Sequence, residues 1–196
     1  MHSPKLTRAD LMSLEQYSTG RKDFRSKVLA HKNQRSIAVG PSATWCFEDR
    51  LTVQYQIQEM LRVERIFEAD AIQEELDAYN PLIPDGRNWK VTFLLEFPDA
   101  DERRERLAQL KGVEDRCWVQ VAGCERVYAI ADEDLEREND EKTSSVHFLR
   151  FELSAPMCAQ VKAGAALGAG IDHDNYRHAS SSVPENVRES LVKDLA

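Results

Sequence analysis

The side chains best placed for chemistry fall in one short stretch, EDRLTVQYQIQEMLRVE, which carries Glu48, Arg50, Gln56, Glu59 and Arg62. If this stretch is helical, Glu59 and Arg62 stand three residues apart on one face, with Gln56 a turn before Glu59. A carboxylate and a guanidinium projecting together can hold a small polar ligand or position a partner. The same residue types also form buried ion-pair networks, here one tying a basic amino-terminal part to a sheet.

The histidines offer a second chemistry. His147 lies in an alternating stretch beside Phe148, Arg150 and Glu152, and His173 lies in Ile171-Asp172-His173-Asp174. If those two stretches are neighbouring strands, two imidazoles, a flanking Asp and a Glu from the 48–64 segment make a nitrogen and oxygen site for zinc or iron. No spacing demands it, because neither His-Glu-x-x-His nor Glu-x-x-His occurs. Taken singly, each histidine reads as structural. His31 falls at a helix carboxyl end, where a cation suits the dipole, and His2 and His178 fall in segments that read as mobile.

Other motifs fail on their own chemistry. The run Ala163–Gly170 follows a helix and continues into Ile171, so a phosphate there would find neither a helix amino end nor a lysine. Asp132–Glu136 lacks the glycine and the terminal bidentate carboxylate of a calcium loop. The four cysteines (46, 117, 124, 158) have no Cys-x-x-Cys spacing and read as packed thiols. No serine, cysteine or lysine sits in a nucleophile motif.

The elements that must position these groups follow from periodicity and caps. Thr7 and Gly20 delimit a first short helix, and Phe24, Val28 and Leu29 give a second up to His31. Ser36–Val39 and Thr44–Phe47 read as a strand pair about the turn at Gly40-Pro41. Residues 51–58 carry both patterns: Leu51, Val53, Tyr55 and Ile57 alternate as in a strand, while the Gln, Glu, Met and Arg content favours helix. Asp70-x-x-Gln73 resembles a capping box that opens a further helix to Tyr79. Then come a strand over 90–97, a helix capped by Asp99, a hairpin over 117–130, a strand over 146–153, a helix capped by Ser154, a strand over 165–171 and a terminal helix.

The fold class is therefore α+β: a helical amino-terminal part (1–80), a sheet part (88–175) and a carboxyl-terminal helix (180–196). Two strand-helix-strand units, at 90–121 and 146–171, predict a ferredoxin-like antiparallel sheet.

The net charge of −8 divides unevenly: residues 1–47 carry +5 and the remainder −13. An acidic chain of this kind is a poor nucleic-acid binder. Its partition predicts that the basic helices dock on the acidic segment Asp132–Glu141, within one subunit or between two. No apolar run is long enough for a membrane span or a secretory leader, which points to a cytoplasmic protein.

Several longer stretches then carry a family resemblance: Phe47–Arg50, Gln56–Glu64, Glu75–Asn80, Asp132–Leu135 and His147–Glu152. Through them the chain, from Leu6 to about Leu195, resembles a bacterial family catalogued as domain of unknown function 3501. That family has no established reaction, so it transfers no catalytic residue and no cofactor. The resemblance implies a context: its members tend to be encoded beside rubrerythrin-like proteins and iron–sulfur, heterodisulfide-reductase-like oxidoreductases. It implies a cytoplasmic accessory or binding role in peroxide defence or electron transfer, with those proteins as partners. The other possibility is a small enzyme or metal-dependent module built on the Glu, Arg and His residues above.

Overall fold

The computed structural model describes residues 5–196, so His2 and the start of the chain lie outside it. The class is α+β, with six α-helices and two antiparallel sheets among the described residues. None of these helices is long and apolar enough to cross a membrane.

Helix α1 (Leu14–Asn33) opens on a reciprocal cap: Ser13 Oγ accepts from the Gln16 amide at 3.2 Å, and the Gln16 side chain accepts from the Ser13 amide at 3.0 Å. It runs straight through Gly20, where the sequence predicts a break. A helical glycine costs only about 1 kcal/mol against alanine, less than the burial of Tyr17 and Val28 on either side of it returns.

Helix α2 (Arg50–Val63) settles the ambiguous stretch as helix. Asp49 caps it by accepting from the Leu51 and Thr52 amides, each at 3.0 Å. Val53, Ile57 and Leu61 are buried at helical spacing, and with Leu6, Leu76 and Ile83 they form a small core. The glutamines that blur the pattern hold the amino-terminal strand of chain. Gln58 accepts from the Met12 amide at 2.6 Å, and Gln54 donates to the Asp10 carbonyl at 2.6 Å.

Helix α3 (Ala69–Tyr79) starts one residue before the expected capping box and has no side-chain cap. Its Gln73 donates to Asp77 instead. A single-turn helix, Asn80–Leu82, follows, and Asn80 holds both the amide and the carbonyl of Leu6.

The first sheet has the order β1-β2-β3-β7-β6, from Ser36–Ala38, Ala43–Glu48, Asn88–Leu95, Val146–Glu152 and Ile130–Ala131. The second has the order β5-β4-β8-β9, from Arg126–Tyr128, Cys117–Val121, Leu167–His173 and Tyr176–Ser180. Both strand-helix-strand units form, through α4 (Ala100–Gln109) and α5 (Ala155–Lys162). Their caps are as expected, with Asp99 accepting from Asp101 and Glu102 amides and Ser154 from the Met157 amide.

The single ferredoxin-like sheet is not seen: β3 and β7 lie in the first sheet and β4 and β8 in the second, so each unit crosses from one sheet to the other. The reason lies in the faces. Trp45, Phe47, Val91, Phe93, Leu149 and Phe151 make one apolar face, and Val119, Val121, Leu167, Ala169 and Ile171 make another; each buries by facing the other within the main core.

The chain passes from β5 to β6 through Ala129, joining the sheets along one edge. On the other edge, Tyr176 Oη donates to the Val39 carbonyl at 2.8 Å and accepts from the Ser42 amide at 3.0 Å. Gly40 turns there at φ 78°, and a Cβ at that position would lie 2.4 Å from the His178 ring. Strand β9 has no signal in the sequence because it is a mostly exposed, polar edge strand.

Helix α6 (Glu185–Val192) packs back on the first sheet, where the Trp89 indole donates to the Leu191 carbonyl at 3.1 Å. Within one chain, among the described residues, the acidic segment does not receive the basic helices. Arg137 pairs with Asp132 and Asp134, Arg150 with Glu133, and Lys111 with Glu138, so the ion pairs the segment makes are with its own loop and its neighbours. The basic residues Arg21 and Arg35 pair instead with Glu59 and Asp194.

Candidate functional site

Alternation along β2, β3 and β7 sends one set of side chains into the main core and the other outward. The register sets the outward residues in rows across the sheet: Glu48 beside Lys90 beside Arg150, and Cys46 beside Thr92 beside Phe148. Helix α2 and the α3–Leu82 segment lie over this face without filling the space. The cleft left between them has a larger part of about 530 Å³ and a smaller part of about 250 Å³, which share Tyr79, Leu82 and Phe148.

The arginines of the larger part are answered, whereas Glu75, which also lines it, makes no ion pair or hydrogen bond among the described residues, and burial raises its carboxyl above its ordinary pKa. Arg150 donates to Glu133 at 2.9 and 2.8 Å and to Glu152 at 2.7 Å. Arg137 is held by Asp134 and Asp132, and its guanidinium lies over the Phe148 ring, 4.6 Å from the centroid. Lys90 is different. It is half-buried in the same cleft, and its ammonium makes no ion pair or hydrogen bond among the described residues. Burial lowers its pKa, and the neighbouring Arg150 charge adds to that effect.

The candidates read from the sequence divide between this cleft and other places. Glu48 and Gln56 line its smaller part. Glu48 is occupied, accepting from the Thr52 hydroxyl and, at 2.6 Å, from the Thr92 hydroxyl. Arg50 pairs with Asp10 at 2.6 Å. Glu59 is gripped by Arg21 at 2.7 and 2.8 Å and accepts from the Tyr17 hydroxyl, while Arg62 stands 4.0 Å away. Glu59 and Arg62 thus join an ion-pair network with α1. Tyr79 and Phe148 fall in stretches that carry the family resemblance but in no chemical motif, Lys90 takes an outward place in the alternation of β3, and nothing in the sequence shows that this face is covered.

His147 points inward from β7, opposite Phe93, and is 0% exposed. Its Nδ1 lies 2.6 Å from Asp132 Oδ2, and the second Asp132 oxygen accepts from the Phe148 amide at 2.9 Å. Asp132 sits at φ 47°, a left-handed conformation uncommon outside glycine. On the other side of the ring, Nε2 faces the Ser144 carbonyl at 3.0 Å, Thr143 Oγ1 at 3.1 Å and Glu114 Oε2 at 3.9 Å. Burial raises the Glu114 carboxyl above its ordinary pKa.

His173 is not brought to His147, since the two strands lie in different sheets. Its Nε2 lies 2.9 Å from the Lys111 carbonyl, and its Nδ1 accepts from the Asn175 amide at 3.2 Å, an arrangement that braces the β8–β9 turn. The expected Glu from α2 is likewise engaged elsewhere. Glu114 carries no motif, and nothing local in the sequence ties Asp132 to His147, since Glu114 lies in the turn before β4, Asp132 just after β6, and both reach His147 through the tertiary fold.

Comparison with known proteins places this architecture beside a solved one. A protein of unknown function from Burkholderia pseudomallei K96243, known by crystal structure, is 48% identical, with a TM-score of 0.94 over 98% of this chain and 100% of that one. No curated protein matches. The family model described as "Protein of unknown function (DUF3501)" matches residues 5–195, and the chain belongs to that family.

Proposed function

We propose that the protein is a cytoplasmic accessory binding protein, and that its cleft takes a small organic anion with an apolar body. The observation that carries this reading is Lys90, a half-buried ammonium beside the paired Arg150, with the carboxylates of Glu133, Asp85 and Glu152 near enough to act on it but none within ion-pair distance among the described residues. An anion seated there would relieve the desolvation of the amine, while Phe148, Tyr79 and Leu82 offer apolar surface to the rest of the molecule. The resemblance implies the setting, beside a rubrerythrin-like or iron–sulfur oxidoreductase in a redox or peroxide-defence system. A ligand-holding accessory fits that setting.

The test uses 8-anilinonaphthalene-1-sulfonate, which joins a sulfonate to an aromatic body. One saturable site is expected by fluorescence, with affinity falling about tenfold in Lys90→Ala, the scale of one charge-assisted contact. Equal binding by the wild type and the variant would remove the cleft reading. The redox setting is tested separately by retention of a purified rubrerythrin-like or iron–sulfur partner on the immobilised chain. If neither is retained, that half of the proposal fails.

A further inference from the structure

The face of His147 turned away from Asp132 gathers oxygen atoms. In the tautomer whose Nδ1 proton goes to Asp132, the ring presents a lone pair at Nε2. Around that nitrogen stand the Ser144 carbonyl at 3.0 Å, Thr143 Oγ1 at 3.1 Å and Glu114 Oε2 at 3.9 Å. The carbonyl has no proton to offer, and the threonine hydroxyl has one. A lone pair, a carbonyl oxygen and a carboxylate oxygen brought together in a buried space are stabilised by positive charge among them.

A proton on Nε2 is one way to supply it, and it would serve Ser144 and Thr143. It would not serve Glu114, because 3.9 Å is beyond hydrogen-bond reach. Glu114 Oε2 is buried and has no hydrogen-bond partner, which leaves its desolvation uncompensated. A metal ion differs in span. With bonds of about 2.0–2.2 Å it joins donors as much as about 4.4 Å apart, a span that covers the distance from Nε2 to each of the three oxygens.

We propose that His147 Nε2 and Glu114 are ligands of a divalent transition-metal ion. The Ser144 carbonyl and Thr143 hydroxyl are further oxygen donors, and Asp132 orients the imidazole through Nδ1. Glu114, Asp132 and His147 have ligating atoms all within 4.8 Å of one another. One imidazole with oxygens and no thiolate suits zinc, manganese or ferrous iron, and is a poor match for cuprous copper or calcium. The carboxylate on the far nitrogen is the usual outer partner of a metal-bound histidine.

The placement has a consequence for the fold. Glu114 belongs to the turn entering β4 in the second sheet, and His147 to β7 in the first. An ion between them would join the sheets and anchor the returning end of the loop that carries Glu133, Asp134 and Arg137 to the cleft. The site is separate from Lys90, so it stands or falls independently of the ligand proposed above.

The test is a titration of tag-free, chelator-treated protein with zinc, manganese and ferrous ions against a chromophoric chelator. One equivalent bound is expected, together with a rise in melting temperature. Glu114→Gln, which keeps the shape and removes the charge, should weaken binding about tenfold or more while leaving the circular dichroism unchanged. Asp132→Asn should weaken it about 10- to 100-fold, and His173→Asn should leave it intact. Absence of binding by the folded wild type, equal affinity in Glu114→Gln, or loss of binding in His173→Asn instead would each overturn the proposal.

Discussion

Both carboxylate oxygens of Glu59 are spent inside the protein, one on Arg21 and Tyr17 and the other on Arg21 again, while Arg62 remains 42% exposed at 4.0 Å. The Arg21 hydrogen bonds, helped by that of Tyr17, hold the Glu59 pKa down from 4.5 to about 2, against the effect of burial. Because the folded value is below the unfolded one, the unfolded chain binds more protons between these limits. The contribution of Glu59 is present in full above pH 4.5 and is lost as pH falls toward 2. Glu59→Gln should therefore lower the melting temperature at pH 7, with the gap to wild type closing as acid approaches pH 2. A gap that is constant across pH would place the effect in packing. The residue types at 56–62 were legible as a charged constellation; which partner each would find was not, since Arg21 and Tyr17 lie 38 and 42 residues away.

At the scale of elements, caps and alternation carried most of the information. Asp99 and Ser154 cap the helices they announce, and β3 and β7 bury the residues their alternation marks. What alternation omits is pairing. The repeated strand-helix-strand pattern fits one ferredoxin-like sheet or two facing sheets equally, and the choice rests on how much apolar face each strand must cover. The glycine-rich run at 163–170 shows the same limit, for Gly170 answers Trp118, 52 residues earlier in the chain. Gly170 lies under the Trp118 ring, and a Cβ there would come within 2.4 Å of Trp118 and 2.9 Å of the His178 carbonyl. Gly170→Ala should destabilise the second sheet by about 1–3 kcal/mol, the cost of overpacking a filled site, read as a lower urea midpoint. An unchanged midpoint would show that Trp118 turns aside freely.

Across the whole molecule, the partition of charge matters less through a single basic-to-acidic contact than through scattered ties between distant parts of the chain. Arg35, 2% exposed, is the longest of these. It donates to the carbonyls of Phe47 and Glu48 near the first sheet, and to Ser190 and Asp194 at the carboxyl end. Replacing it removes donors from several buried acceptors together, so Arg35→Met should cost about 3–5 kcal/mol and release α6 to rapid amide exchange. The cleft is a property of this same scale. Its lining comes from residues 60–82, 90 and 133–150, brought together by the register of β3 and β7 and by the path of α2 and α3 over them, none of which short-range patterns encode. The most direct test is the position of 8-anilinonaphthalene-1-sulfonate in a crystal of its complex with the protein. The account predicts the sulfonate within hydrogen-bond distance of Lys90 Nζ and the rings against Phe148 and Tyr79. A dye seated elsewhere, such as the apolar groove beside Phe67, with Lys90 still unpaired, would contradict it.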